Sequence, residues 1–270
     1  MPKFPIRLTP SPREKVWGRK RLAPWFPDSE RNIGEVWFLA ESELPLLVKL
    51  LFTSERLSIQ VHPDDGEGVA RGKTEMWHIL EAEPGAQIAL GFREPISRER
   101  LREACCTGEI EQLVNWFPVK AGETYFTPAH TVHAIGAGIV LCEIQQHSDV
   151  TYRLWDYGRA REMHLEQGIA VADTGVHPGP SHPVSMDKGR DLLVRSRHFV
   201  TESICLPAGA SYTPSPEPCQ LLVVVEGGAA IGGQTMETGE VWHLPEQGER
   251  AGVCTENGTQ LLRAYVPGGS

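Results

Sequence analysis

The sequence predicts an all-β protein of two related jelly-roll barrels with a small helical insertion. Three observations carry this reading. Short apolar or alternating runs recur along the chain, punctuated by 27 glycines and 21 prolines. One turn-and-strand unit occurs twice. Helix signals are confined to a single stretch.

In the first half the strand-like runs are Leu46 to Phe52, Ser58 to Val61, Trp77 to Leu80, Gln87 to Leu90 and Gly138 to Ile144. The last third continues with Ser203 to Leu206, Leu221 to Val225, Ala229 to Ile231, Glu240 to Leu244 and Leu261 to Val266. Within the first set, between Leu90 and Gly138, Ser97 precedes Arg-Glu-Arg-Leu-Arg-Glu-Ala-Cys as an N-cap, and Glu109 to Trp116 follows as a second helical piece. The insertion therefore covers about 94–118. The repeated unit is Gly122-Glu-Thr-Tyr-Phe-Thr-Pro, matched by Gly239-Glu-Val-Trp-His-Leu-Pro. Each reads as a turn, a short strand and a proline turn, which suits a hairpin entering a barrel. Turn-formers crowd Val176-His-Pro-Gly-Pro-Ser-His-Pro, so the expected boundary divides a chemically equipped unit, 1–175, from a structural one, 176–270. His177 and His182 in that linker read as surface residues.

Composition narrows the function. At roughly 150 residues per domain, 270 residues make one large or two ordinary domains. Lys and Arg number 26 against 35 Asp and Glu, a formal charge of −9 that argues against a nucleic-acid partner. A local basic pocket for an anionic metabolite is compatible with that balance. No apolar run approaches the roughly 20 residues of a membrane span, and the first residues lack a signal-peptide core, so a cytoplasmic protein without a membrane partner is expected. The six cysteines form no Cys-x-x-Cys pair and read as thiols of a reducing compartment.

The densest polar chemistry lies in Ser58-Ile-Gln-Val-His-Pro-Asp-Asp. Period two places Gln60 and His62 on one strand face, with Ile59 and Val61 on the other. Glu75 opens the next apolar run, and His133 follows a proline turn. An amide oxygen, two imidazoles and a carboxylate suit zinc, manganese or iron, zinc first, with positions left open for water or substrate. His78 and His130 compete for the same role on spacing alone.

Several blocks together resemble the class I mannose-6-phosphate isomerases in their short, two-cupin form. They are Ile33-Gly-Glu-Val-Trp-Phe, Leu47-Val-Lys-Leu-Leu-Phe, the Gln60–His62 segment, Gly72-Lys-Thr-Glu-Met-Trp, Phe126-Thr-Pro-Ala-His-Thr-Val-His and Cys142-Glu-Ile-Gln-Gln-His-Ser-Asp-Val-Thr-Tyr-Arg. The resemblance runs from about residue 10 to about 170 and implies cupin-like barrels. It also implies one Zn2+ per chain on Gln60, His62, Glu75 and His133, with interconversion of mannose 6-phosphate and fructose 6-phosphate. It places the active-site arginine on Arg153, the acidic residue four before it on Asp149, and the lysine beside the metal glutamate on Lys73. His130 stands where related chains often have glycine.

Such an isomerase moves a proton between C1 and C2 through an enediolate, so a positive group must face the two oxygens. Arg153 fits that role, while Lys73, Asp149 and His130 are alternative proton carriers. The phosphate of a small phosphorylated sugar needs charge-assisted donors, for which Lys49, Arg159, Arg153 and Ser58 are the candidates. Trp37 is expected to flank the sugar, and Glu35 to orient Arg153 or Lys73. Three rivals stand beside this reading: a sugar-phosphate-binding cupin protein without turnover, an isomerase of another sugar phosphate, and a metal-dependent dioxygenase or epimerase on the same barrel, which Gln60 as a ligand fits less well. Monomer and homodimer remain equal alternatives.

Overall fold

The computed structural model describes residues 4–244, 246 and 251–268. Its backbone is mostly strand, with three short helices, Arg98–Thr107, Ile110–Leu113 and Leu165–Val171. Three sheets stack in layers, and the helices cover the outermost. The five-stranded sheet runs in the order Tyr152–Trp155, Ile59–Val61, His133–Ile135, Gln87–Phe92, Val114–Pro118. The six-stranded sheet runs Thr9–Arg19, Ile33–Leu39, Leu46–Phe52, Ile139–Gln146, Glu75–Ala82, Thr124–Thr127. A ten-stranded sheet holds the remaining strands, and Ile6–Arg7 joins it by pairing with Trp242 and His243.

The expected jelly-roll, cupin-like barrels are not what forms. Every sheet has an open strand order, and none among the described residues closes on itself. Alternation and turn chemistry specify hairpins locally. Closure depends on strand number, tilt and long-range register, which no local pattern carries. The run Leu46–Phe52 shows the consequence: all seven residues are buried. Leu46, Val48, Leu50 and Phe52 face the ten-stranded sheet, meeting Leu193, Phe199, Leu221, Val223 and Leu262. Leu51 faces the other way, into a core with Trp77, Ile79, Ile88, Leu90 and Leu141. A strand with an unbroken apolar run belongs to a sheet covered on both faces, and this sheet is the middle layer.

The repeated turn unit is real in three dimensions. Gly122 and Gly239 take φ of 89° and 87°, a left-handed conformation that favours glycine. Glu123 Oε2 accepts from the Lys120 amide at 2.8 Å and the Tyr125 hydroxyl at 2.9 Å. Glu240 Oε2 accepts from the Glu237 amide at 3.1 Å and Trp242 Nε1 at 3.0 Å. Pro245, expected to close the second unit, lies outside the described residues.

In the helical stretch, Ser97 caps Arg98–Thr107 by accepting from the Arg100 amide, and Gly108 ends the helix at φ 81°. The second piece is shorter than expected. Helix stops at Leu113, and Val114–Pro118 becomes an edge strand pairing with Gln87–Phe92. Its β-branched and aromatic residues favour a pleated surface. The helix Leu165–Val171 had no distinct sequence signal. It covers Leu154 and Ile59 of the five-stranded sheet together with Leu101 and Ala104. His177 also departs from expectation, being half-buried with Nε2 2.9 Å from the Phe126 carbonyl. The six cysteines are free, and no helix among the described residues is long and apolar enough to cross a membrane.

Phe52 is fully buried between the middle and ten-stranded sheets, edge-on to Trp25 and Phe26. Phe52→Ala is expected to destabilise the protein by about 3–5 kcal/mol, seen as a lower urea midpoint at unchanged m-value.

Candidate metal centre

The facing surfaces of the five- and six-stranded sheets are polar at one end. On the five-stranded sheet, Gln60 stands opposite His133 on one side and Arg153 on the other, so all three share a row. Gln60 and His62 lie on the face opposite Ile59 and Val61, which enter the core beneath the helices. On the six-stranded sheet, Trp37, Lys49, Glu143, Trp77 and Tyr125 form a second row. Glu75 lies two residues before Trp77 on the same face.

The ligand atoms of His62, Glu75 and His133 lie within 4.8 Å of one another, and all three residues are buried. Both imidazoles have their tautomer set by a backbone carbonyl. His62 Nδ1–H donates to Val150 O at 2.8 Å, and His133 Nδ1–H donates to Thr131 O at 2.8 Å. Each Nε2 lone pair is thereby left facing Glu75, at 3.7 Å and 3.5 Å. Burial, reinforced by the Lys73 charge, holds both imidazoles neutral, His133 down to about 3 and His62 well below 6.5. Glu75 Oε1 is buried with no hydrogen-bond partner. Two neutral nitrogen donors and an unsatisfied carboxylate oxygen, converging in one small space, fit a divalent metal ion.

Gln60 completes the rim. Its Nε2 lies 3.3 Å from His133 Nε2, and its Oε1 accepts from the Ser58 hydroxyl at 3.1 Å. A half-turn of the amide exchanges the two atoms and turns the oxygen toward the cluster. Ser58 lies against this amide and does not line the cationic cavity beside it.

Beside the triad lies a buried ion network. Lys73 Nζ donates to Glu75 Oε2, lies 3.0 Å from His62 Nε2 and 3.6 Å from Glu143 Oε1. Lys49 Nζ lies 3.1 Å from Glu143 Oε1, and Trp77 Nε1 donates to Oε2 at 3.2 Å. Burial alone would raise the Glu143 carboxyl, but the Lys73 and Lys49 charges outweigh it and bring it down to about 2. Glu75 moves the other way, raised to about 7 by burial and by the Glu143 charge. Burial also opposes the Lys73 charge, yet Glu143 and Glu75 outweigh it and keep the ammonium protonated above its usual range.

The network opens onto a cavity of about 480 Å³ lined by Arg13, Lys15, Trp37, Lys49, Lys73, Asp149, Thr151 and Arg153. Five cations face one carboxylate. Of the residues expected from sequence, Trp37, Lys49, Lys73, Asp149 and Arg153 line this cavity. Ser58, Arg159 and His130 do not. Arg159 is held by Asp156 at 2.8 Å and by the Arg56 carbonyl at 2.9 Å. His130 sits at φ 76°, where glycine carries no strain, and its Nε2 turns to Glu67 Oε2 at 2.7 Å. Its amide donates to the His62 carbonyl at 2.8 Å, bracing the loop that carries a ligand. Glu35 reaches neither Arg153 nor Lys73; it accepts from Trp37 Nε1 at 2.8 Å and lies 3.2 Å from Lys15. His78 turns to Thr124 Oγ1 at 2.9 Å, away from the cluster. Glu143, Arg13, Lys15 and Thr151 escaped the sequence reading. The readable signal for Glu143 was a lone charge within the buried strand Ile139–Gln146, as Lys49 is within Leu46–Phe52.

Fold and site define a layered β protein with a buried His/Glu triad suited to a divalent metal, joined through Lys73 to a cationic cavity. A family model, described as phosphomannose isomerase type I, catalytic domain, matches residues 27–90. ManA of Bacillus subtilis, a mannose-6-phosphate isomerase, is 32% identical over 85% of this chain and 88% of its own length. The mannose-6-phosphate isomerase of Streptococcus mutans is 42% identical, over half of this chain and 45% of its own length. In the crystal structure of the Bacillus subtilis mannose 6-phosphate isomerase the fold superposes with a TM-score of 0.87 at 26% identity, covering 97% of this chain and 99% of that one. The chain belongs to the type I mannose-6-phosphate isomerase family.

His133→Ala is expected to weaken divalent-ion binding to chelator-stripped protein at least tenfold, measured by titration calorimetry. A pH effect arises at His78, whose imidazole is held neutral down to about 4 by burial. The unfolded chain protonates this group near 6.5, so it binds more protons than the fold below that pH. Stability is therefore lost as pH falls from about 6.5 toward 4, and His78→Gln should flatten that part of the urea-midpoint profile.

Proposed function

We propose that this chain is a metal-assisted isomerase interconverting D-mannose 6-phosphate and D-fructose 6-phosphate. The buried His62–Glu75–His133 triad, joined through Lys73 to a cationic cavity in a chain of this family, carries the reading. One Zn2+ per chain, held by His62, Glu75 and His133 with Gln60, is the proposed cofactor. When bound, such an ion supplies electrophilic stabilisation to substrate oxygens as they gain negative charge.

The chain's own residues do the remainder. Among the described residues Arg153 has no carboxylate partner, and its Nε is buried without a hydrogen bond. Its Nη1 donates to the Glu162 carbonyl at 2.6 Å, which holds the guanidinium in the cavity wall beside Gln60. We assign it to the developing enediolate oxygens. Lys73, committed to Glu75, His62 and Glu143, adds its positive charge to the cavity wall. Asp149 is the cavity's only carboxylate and forms no ion pair among the described residues. It is assigned the carbon-bound proton. The C2–H electron pair becomes the C1=C2 bond as Asp149 takes the proton and the C1 oxygen takes the charge. Return of the proton to C1, with transfer of the hydroxyl proton from O2 to O1, gives the ketose. Trp37 and Lys49 form the wall against the sugar. The residues 1–175 carry all of these groups, and 176–270 backs them through the core shared with the middle sheet. Six unpaired cysteines support a cytoplasmic location.

Purified protein, stripped of metal and then given zinc, should regain conversion of mannose 6-phosphate to fructose 6-phosphate; turnover that ignores metal would overturn the reading. Asp149→Asn is expected to lower kcat by about 100-fold or more at unchanged metal content. Arg153→Ala should lower kcat by a similar factor with the fold intact.

A further inference from the structure

We infer that Arg13, assisted by Lys15, is the anion anchor of the cavity and holds the substrate phosphate at the end remote from the metal ligands. The inference rests on reading the cavity as a sugar-phosphate site. It starts from which cavity cations are already neutralised. Lys73 is shared between Glu75 and Glu143, Lys49 is paired with Glu143, and Lys15 with Glu35. Arg13 and Arg153 are the two guanidinium groups of the cavity with no carboxylate partner among the described residues. Arg153 stands in the row of Gln60 and His133, beside the metal ligands. Arg13 stands across the cavity, on the exposed edge strand Thr9–Arg19 opposite Glu35.

A series of contacts measures the separation. From His62 Nε2 it is 3.0 Å to Lys73 Nζ, and from there 3.6 Å to Glu143 Oε1. Lys49 Nζ is 3.1 Å from that carboxylate and 4.5 Å from the centre of the Trp37 ring. The Arg13 guanidinium leans over the same ring at 5.2 Å. Three strand spacings of about 4.8 Å divide the strands of Glu143 and Arg13, and the arginine side chain reaches back across part of that distance. An extended six-carbon sugar with C1 and C2 at the metal end brings its C6 phosphate toward Arg13, its carbon-bound hydrogens toward the Trp37 ring. The planar fork of an arginine matches two phosphate oxygens, and its weak hydration makes it the better anchor at a half-open rim than lysine. Of the four phosphate candidates read from sequence, Ser58 and Arg159 do not line the cavity, Lys49 is paired with Glu143, and Arg153 stands beside the metal ligands.

The test compares wild type, R13A, R13K and K15A for mannose 6-phosphate kinetics and for binding of inorganic phosphate by calorimetry. R13A should raise KM, and weaken inorganic phosphate both as competitive inhibitor and as calorimetric ligand, by about tenfold or more. Its kcat should stay within about threefold, because the phosphate contact is made equally in ground and transition states. R13K should recover part of the loss and K15A should show a smaller one. Unchanged KM and unchanged phosphate binding in R13A would overturn the anchor. Phosphate binding that requires Arg13 in a wild-type protein without turnover would uphold the anchor and overturn the isomerase reading.

Discussion

The Lys73 ammonium, buried between Glu75 and Glu143, is the interaction on which the site depends. Two lysines and two glutamates are sunk into the space between two sheets, at a desolvation cost of several kcal/mol per ion. They are tolerable there only as a set. Trp77 Nε1 and the paired ammonium groups satisfy Glu143, which leaves Glu75 as the carboxylate with an oxygen to spare. That spare oxygen faces two imidazoles whose protons are committed to carbonyls. The same arrangement that balances charge therefore brings two neutral imidazoles and the spare Glu75 oxygen together in one small space.

Rigidity follows from the layering. The middle sheet is covered on one face by the ten-stranded sheet and on the other by the five-stranded one, so its polar row is carried on strands with apolar backs. Val140, Cys142 and Ile144 alternate with Leu141, Glu143 and Gln145, and every one of them is buried. Glu143 and Lys49 are held opposite each other by the pairing of their own strands, and residues of the chain's second half pack against the apolar backs of those strands. The second half also reaches the loop after His62, where Arg197 lies 2.5 Å from Asp64.

Part of this was legible from residues alone. Gln60 and His62 share a face because a strand alternates, and Glu75 and His133 are residue types that few apolar elements carry without a partner. The helix cap at Ser97 and the twin Gly-Glu turns are local chemistry and appear where local chemistry puts them. The rest was decided between distant segments. Arg159 reads as a phosphate donor until Asp156 is seen to occupy it. His130 reads as a pocket imidazole until its left-handed backbone turns it to Glu67. Arg13 carries no local signal at all; the pairing of Thr9–Arg19 with Ile33–Leu39 sets it over Trp37.

By itself the sequence determined a mostly β protein, several of the apolar runs that form its strands, residues able to hold a metal and the resemblance that names the chemistry. These rest on periodicity and residue type, which act over a few neighbours. Only the tertiary structure decided that the sheets stay open and stack as layers rather than close into barrels. It alone decided which cation meets which carboxylate. Both outcomes depend on register and burial between strands far apart in the chain, where pairing removes some charges from use and leaves others facing the cavity.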